Sequence, residues 1–154
     1  MAINLKNFLL SQNRKSIIGH FQDLDHIDGV AISTISANLY KDPRDDLVLF
    51  YFRDGANCAS VYTQSKIISE NIKWNLNVKN NSIKALMVNT RNANAFTGKL
   101  GFKGIVQIAE ELSKQLTIKM TQDEEKINLV KPNQILFGCT GTIGEVFPTE
   151  KIKQ

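Results

Sequence analysis

The 154-residue chain has few of the residues that stabilise small secreted domains or bind metals. Its two cysteines are Cys58 and Cys139, its two histidines are His20 and His26, and none of them stands at a CxxC or metal-ligand spacing. Two cysteines cannot form a disulfide framework, so we expect a reducing compartment, the cytoplasm. The sequence predicts no bound metal and no cofactor.

Long hydrophobic runs are also missing. No apolar segment approaches the roughly 18 residues that a membrane-spanning helix needs. Charged residues such as Lys6, Arg14 and Asp23 interrupt the first thirty positions, which leaves no stretch for the core of a signal peptide. We therefore expect neither export nor a membrane partner.

Concentrated charge of one sign is the third absence. The formal net charge is +4, but the lysines are scattered from Lys6 to Lys153. A nucleic-acid interface requires basic residues that cluster on one surface. The closest group, Lys99 and Lys103, precedes the acidic residue Glu110, so a solvated surface is the favoured interpretation and no nucleic-acid partner is predicted.

The apolar residues that are present predict one α/β domain. Residues 47–52 (LVLFYF), 83–88 (IKALMV) and 134–137 form short apolar segments, which indicate strands covered on both faces. Residues 30–37 are rich in β-branched side chains and predict a further strand. With 154 residues, the chain is long enough to bury one core but not two.

Three further segments are predicted to be helices, one to form a hairpin, and one is left undecided between helix and strand. An amphipathic helix is predicted where apolar residues recur at helical spacing, and short helices are predicted at residues 4–10 and 149–153. The Asp54-Gly55 turn predicts a hairpin with residues 58–62, and residues 64–74 fit either a strand or a helix. The residues of the amphipathic face are Ile105, Ile108, Ala109, Leu112 and Leu116.

Two polar loops follow apolar strands and are the candidate sites. Residues 137–144 (FGCTGTIG) form a glycine-rich turn without the lysine of a P-loop. Successive N–H groups at such a turn suit an oxyanion hole, and the alternative is a turn with no chemistry. Cys139 has no visible base, so a packing role is favoured over a nucleophile.

The second loop, residues 89–98 (NTRNANAFTG), contains Asn89, Asn92 and Asn94. Asparagine side chains stabilise loops by hydrogen bonding to the backbone, and they also orient polar substrates. Both interpretations remain open from the sequence.

These loops resemble signatures of the bifunctional ornithine acetyltransferases, also called glutamate N-acetyltransferases. Residues 89–98 resemble the family's NSGNANA-(C/F)-TG signature, and residues 139–144 (CTGTIG) resemble its STGVIG signature. Residues 45–49 (DDLVL) and 59–63 (ASVYT) are similar to its DLAL strand and AGVFT stretch. The resemblance implies a layered α/β sandwich with mixed sheets covered by helices.

The resemblance also implies a reaction. In that family a precursor cleaves itself before a threonine, which then begins a separate β-chain. This threonine takes the acetyl group from N-acetylornithine and passes it to glutamate in arginine biosynthesis. Carried over by position, Thr140 and Gly141 match the family's oxyanion-hole pair. The implied partner is the β-chain in an α2β2 heterotetramer. Acetyl-CoA is a second candidate acetyl donor, and the sequence leaves open whether it is accepted.

The chain departs from the family pattern in both loops. The resemblance implies an N-terminal extension at residues 1–27 and a partial α-chain domain at residues 28–154 that stops before the cleavage site. Thr90 and Arg91 replace serine and glycine, and Cys139 and Thr142 replace serine and valine. Arg91 puts a bulky cation where the family has glycine, which favours the alternative of a catalytically inactive fragment or binding module.

Overall fold

The computed structural model describes residues 27–79, 82–124 and 129–154. The helix expected at residues 4–10, the two histidines and nearly all of the predicted N-terminal extension therefore lie outside the described residues. No helix in the described part of the chain combines the length and apolarity that crossing a membrane requires. The elements are β1 (Val30–Ile35), β2 (Leu47–Asn57), α1 (Glu70–Asn77), β3 (Ser82–Asn89), α2 (Gly98–Glu124), a 3-10 turn (Pro132–Gln134), β4 (Ile135–Cys139) and α3 (Thr149–Lys153).

The described strands form one mixed sheet in the order β1-β2-β3-β4. The pairs β1/β2 and β2/β3 are antiparallel, whereas β3 and β4 are parallel, with Asn89 opposite Cys139. Two parallel neighbours end at the same edge of a sheet, so the loops that follow β3 and β4 leave it side by side. This register brings the two candidate loops together.

The core lies between the sheet and the helices α1 and α2. In β3 the buried side chains alternate, because Ile83, Ala85 and Met87 point toward the helices. The long helix α2 contributes the apolar face that the sequence predicts, with Ile105 and Ala109 completely buried. The amphipathic pattern of α2 is therefore confirmed.

The other face of the sheet differs from the prediction. Strands covered on both faces were expected, but the helices of the described chain pack on one face only. The opposite face carries apolar side chains that are half-buried or, for Ile32, 60% exposed. We call this surface the open face; the pairing registers place on it Val30, Ile32, Val48, Phe50, Phe52, Leu86, Val88 and Leu136.

Helix α1 resolves the segment that fitted either helix or strand. It lies along the outer edge of β4, where Asn75 accepts a hydrogen bond from the Phe137 N–H (3.0 Å) and donates one to the Phe137 carbonyl (2.9 Å). The indole N–H of Trp74 donates to the Ile135 carbonyl at 2.9 Å. Side chains of a helix thus occupy backbone groups that another strand would otherwise pair with.

The predicted hairpin after Asp54-Gly55 is wrong. β2 continues through this turn as a bulge, pairing Tyr51 with Ala85 and then Ala56 with Ile83. Gly55 has φ +83°, which lets the chain bulge and return to the same partner strand. Residues 58–62 form no strand, since β2 has already used β3 as its partner.

Candidate active site

The glycine turn, residues 139–144, packs directly on the asparagine loop. The Thr140 N–H donates to the Asn89 carbonyl at 3.1 Å and extends the β3/β4 pairing by one residue. The Thr142 N–H donates to the Arg91 carbonyl at 2.9 Å, and the Ala93 N–H donates to the Thr142 carbonyl at 3.0 Å. The two loops therefore form one unit at the edge of the sheet.

The three asparagines of the loop are buried: the exposed fraction is 2% for Asn89, 2% for Asn92 and 0% for Asn94. Asn89 donates to the Asn92 carbonyl at 2.8 Å, and Asn92 accepts from the Asn94 N–H at 2.8 Å. Asn94 donates to the Gly101 carbonyl at 3.2 Å and accepts from the Thr97 hydroxyl at 2.6 Å. Their amides are engaged inside the protein, so their role here is to build the loop.

Gly141 fits a position that no other residue could occupy without distortion. Its φ is +136°, and a Cβ added there would overlap the carbonyl group of Arg91 and come within 2.6 Å of the Asn92 nitrogen. Glycine alone has no Cβ, so it lets two backbones approach this closely. The turn therefore needs glycine for a specific contact.

The structure changes the expected set of anion donors. Successive N–H groups of residues 140 and 141 were expected to serve, but the Thr140 N–H is bonded to Asn89. The Gly141 N–H and the Thr140 hydroxyl have no acceptor among the described residues, and both residues are exposed. One amide and one hydroxyl thus remain as adjacent donors.

The sequence marks Arg91 as a departure from the family signature, but it does not indicate which groups its side chain contacts. It adopts φ +75°, a left-handed conformation that costs a non-glycine residue about 1–2 kcal/mol. Its guanidinium donates to both carboxylate oxygens of Glu145, at 2.7 and 3.2 Å, and to the Thr142 hydroxyl at 2.7 Å. Because Arg91 and Glu145 are separated by 54 positions, no local sequence signal could have paired them.

The loop before β2 supports the asparagine loop as well. The buried carboxylate of Asp46 accepts hydrogen bonds from the N–H groups of Ala37 and Leu39, both at 2.7 Å. The main-chain carbonyl of Asp46 accepts one from the Thr90 N–H at 2.9 Å. A hydrogen bond with the Thr90 hydroxyl is the main cause that lowers the pKa of Tyr40. The asparagine loop is therefore anchored from two sides.

Cys139 has the properties of a packing residue. Burial raises the pKa of its thiol to about 12, so the nucleophilic thiolate is scarce at neutral pH. Its side chain packs against the core cluster. No group of three His, Cys, Asp or Glu side chains in the described parts of the chain is arranged to hold a metal ion.

A cavity of about 560 Å³ lies elsewhere, at the N-terminal ends of α1 and α2. Its lining includes Lys73, Lys99, Phe102 and Lys103, and the charge of Lys73 is paired with Glu70 at 2.7 Å. Neither Thr140 nor Gly141 borders this cavity. The candidate donors sit on an exposed turn, so a closed site there requires a second surface.

Comparison with known proteins decides the family. A family model described as "ArgJ family" matches residues 31–154. The chain belongs to the ArgJ family. It is 29% identical over 136 residues to the arginine biosynthesis bifunctional protein ArgJ of Caulobacter vibrioides, covering 86% of this chain and 31% of that protein. With the ArgJ protein of Bartonella henselae, it is 32% identical over 135 residues, covering 86% and 30%.

Solved structures confirm the fold class, a mixed α/β fold of the ornithine acetyltransferase type. The ornithine acetyltransferase of Mycobacterium tuberculosis, solved with ornithine, aligns with TM-score 0.74 and 22% identity over 82% of this chain and 63% of that chain. ArgJ of Bacillus halodurans aligns with TM-score 0.69 and 23% identity over 82% and 60%. The chain spans about 30% of the length of the curated ArgJ relatives.

Proposed function

We propose that this chain forms one half of an ornithine acetyltransferase site. In this proposal the Thr140 hydroxyl and the Gly141 N–H bind the oxyanion that forms during acetyl transfer. The observation that carries the proposal is that these adjacent, exposed donors at the end of β4 have no acceptor among the described residues. The relatives are arginine biosynthesis bifunctional proteins, and the M. tuberculosis neighbour was solved with ornithine; both support acetylated ornithine as the donor substrate.

The proposed reaction has two addition steps. A threonine hydroxyl on the β-chain adds to the acetyl carbonyl of N-acetylornithine, and the amine at the start of that chain accepts the proton. Collapse of the intermediate breaks the C–N bond, and the protonated N-terminal amine gives its proton to the ornithine nitrogen, so that ornithine leaves and an acetyl ester remains. The neutral amine of glutamate then attacks the ester, the N-terminal amine takes a proton from the attacking nitrogen, and it passes that proton to the threonine oxygen as the ester bond breaks. Both steps place negative charge on the acetyl oxygen, where each donor stabilises it by about 3 kcal/mol.

The partner in this proposal is the separate β-chain, assembled as a cytoplasmic α2β2 heterotetramer after autocatalytic cleavage of a precursor. The open face supports a partner, because a contiguous apolar surface of this kind is typical of an interface. Chain lengths support it too. This chain covers 28–31% of the curated relatives but 60–63% of the solved chains, so the solved chains are about half as long as the relatives.

The reaction in this form needs no cofactor, and acetyl-CoA is proposed as an alternative acetyl donor. A binding module that keeps the fold without the chemistry is the second candidate. Arg91 is the observation that favours it, since the family signature has glycine at this position. The two candidates differ in one measurable outcome, acetyl transfer by the assembled chains.

The test is co-expression of this chain with the C-terminal portion of a full-length ArgJ relative, starting at its nucleophilic threonine. We expect a complex that transfers acetyl from N-acetylornithine to glutamate. Thr140→Val keeps the shape of the side chain but removes the hydroxyl, and it should lower kcat about 100-fold. The matched control is Thr63→Val, an exposed threonine between β2 and α1, which should leave kcat unchanged.

Two outcomes would contradict the proposal. A Thr140→Val complex with the parental rate would remove this residue from the reaction. A parent complex that assembles stably but transfers no acetyl group would favour the binding module instead.

A further inference from the structure

Arg91 connects the two loops of the site through its side chain as well as its backbone. Its guanidinium contacts the Thr142 hydroxyl and both carboxylate oxygens of Glu145. We propose that Arg91 and Glu145 form a positioning clamp, which holds the glycine turn so that the Thr140 and Gly141 donors face an incoming acetyl group. This inference rests on the function proposed above and adds two residues that hold its donors in place.

The backbone contacts show how the clamp reaches the donors. The Arg91 carbonyl accepts the Thr142 N–H at 2.9 Å and lies directly against the Cα of Gly141. The Gly141 N–H belongs to the Thr140–Gly141 peptide. This peptide lies between the Thr140 N–H, which is bonded to the Asn89 carbonyl at 3.1 Å, and residue 142, which Arg91 holds by both its backbone and its hydroxyl. The orientation of the Gly141 N–H therefore depends on where Arg91 is held.

Beyond Cys139, hydrophobic packing does not hold the turn. Residues 140–146 are all exposed, including Ile143 at 63% and Val146 at 82%. Backbone hydrogen bonds and the amide of Asn92 attach the turn to the loop. Among the described residues, the pair between the Arg91 guanidinium and the Glu145 carboxylate is the salt bridge that joins the two loops.

The geometry of this ion pair differs from that of an ordinary surface pair. Arg53 makes one contact with Asp28 at 3.4 Å and one with Asp54 at 3.3 Å. Arg91 instead presents two N–H groups to the two oxygens of one carboxylate, and the side chains of Arg91 and Glu145 are 37% and 47% exposed. A bidentate pair fixes orientation, whereas two single contacts do so weakly. Arg53 is therefore a matched control.

The experiment compares Arg91→Ala, Glu145→Ala and the double variant in the co-expressed complex, with Arg53→Ala as the control. We expect each single variant to lower kcat about tenfold, because a misplaced donor loses transition-state contact, while KM changes less than about twofold. The double variant should be no slower than Arg91→Ala alone, since removing Arg91 already leaves Glu145 without its partner in the clamp. Arg91→Lys keeps the charge but not the fork, so it should restore only part of the rate.

A second measurement does not require activity. Hydrogen–deuterium exchange of the peptide covering residues 139–145 should become faster in Arg91→Ala and Glu145→Ala and remain unchanged in Arg53→Ala. Unchanged exchange in the first two variants would overturn the clamp, as would losses of kcat that multiply in the double variant. If the parent complex transfers no acetyl group, the proposed function fails, and the exchange result alone decides whether the clamp exists.

Discussion

The asparagine loop and the glycine turn leave the same edge of the sheet, yet they use their polar groups in opposite ways. The amides of Asn89, Asn92 and Asn94 are bonded inside the protein. In the turn, the Thr140 hydroxyl and the Gly141 N–H have no acceptor among the described residues. The amides of the asparagine loop are thus structural, whereas the turn keeps two donors without an acceptor in the described part of the chain.

The largest effect concerns Cys139, which begins the turn. Because burial raises its pKa to about 12 and only the thiolate reacts, we expect iodoacetamide to modify Cys139 about 1000-fold more slowly than an ordinary thiol at pH 8. Below that pKa the thiolate fraction rises tenfold per pH unit, so labelling should accelerate steadily between pH 7 and 9. Cys58 is the internal reference, and mass spectrometry locates the label.

Preferential modification of Cys139 would break the comparison, because the turn would then contain an accessible thiolate beside its donors. A plateau of its labelling rate below pH 9 would have the same meaning.

The second effect tests whether the asparagine loop is structural. Asn94→Ala removes the partner of the Gly101 carbonyl and of the Thr97 hydroxyl in a buried site, so we expect a loss of about 3 kcal/mol in the free energy of unfolding. Urea unfolding can be followed through Trp74, the single tryptophan, whose ring lies 6.1 Å from that of Phe137.

The control for this variant is Asn77→Ala, at an exposed position where the amide contacts just the Lys73 carbonyl among the described residues. We expect it to change stability by less than about 0.5 kcal/mol. Equal losses for the two variants would show that Asn94 has no special structural role.

The smallest change in stability is expected for a substitution in the glycine turn. Thr140→Val removes a hydroxyl that has no partner in the described fold, so we expect the free energy of unfolding to change by less than about 0.5 kcal/mol. The same urea unfolding measures it. A loss above about 1 kcal/mol would mean that this hydroxyl supports the fold and is not reserved for a ligand.

The sequence predicts the repeating parts of this structure well. The apolar segments mark β2, β3 and β4, and the spacing of Ile105, Ile108 and Ala109 marks α2, because each pattern follows the geometry of its own element. The apolar runs alone predict strands covered on both faces, since such a run does not say whether its second face is covered within the same chain. The Asp54-Gly55 pattern predicts a hairpin and not the observed bulge for a similar reason, because the partner strand β3 lies far along the chain.

The candidate site, too, is predicted only in part by the sequence. The resemblance of residues 139–144 to a family signature predicts Thr140 and Gly141, but not which of their groups are free. That depends on the Asn89 carbonyl, which takes the Thr140 N–H from a position about fifty residues away in sequence. The Arg91–Glu145 pair is equally long-range, so only the fold can reveal it.

The contacts of α1 determine at which edge of the sheet a further strand can pair. Asn75 and Trp74 bond to the outer backbone groups of Phe137 and Ile135 in β4, whereas no strand in the described part of the chain pairs with the outer side of β1. Lateral addition of a fifth strand, from the same polypeptide or from a neighbour, therefore has one available flank. Oligomers that form by strand addition should end after a single junction, because side chains of α1 already bond to the second flank of each copy.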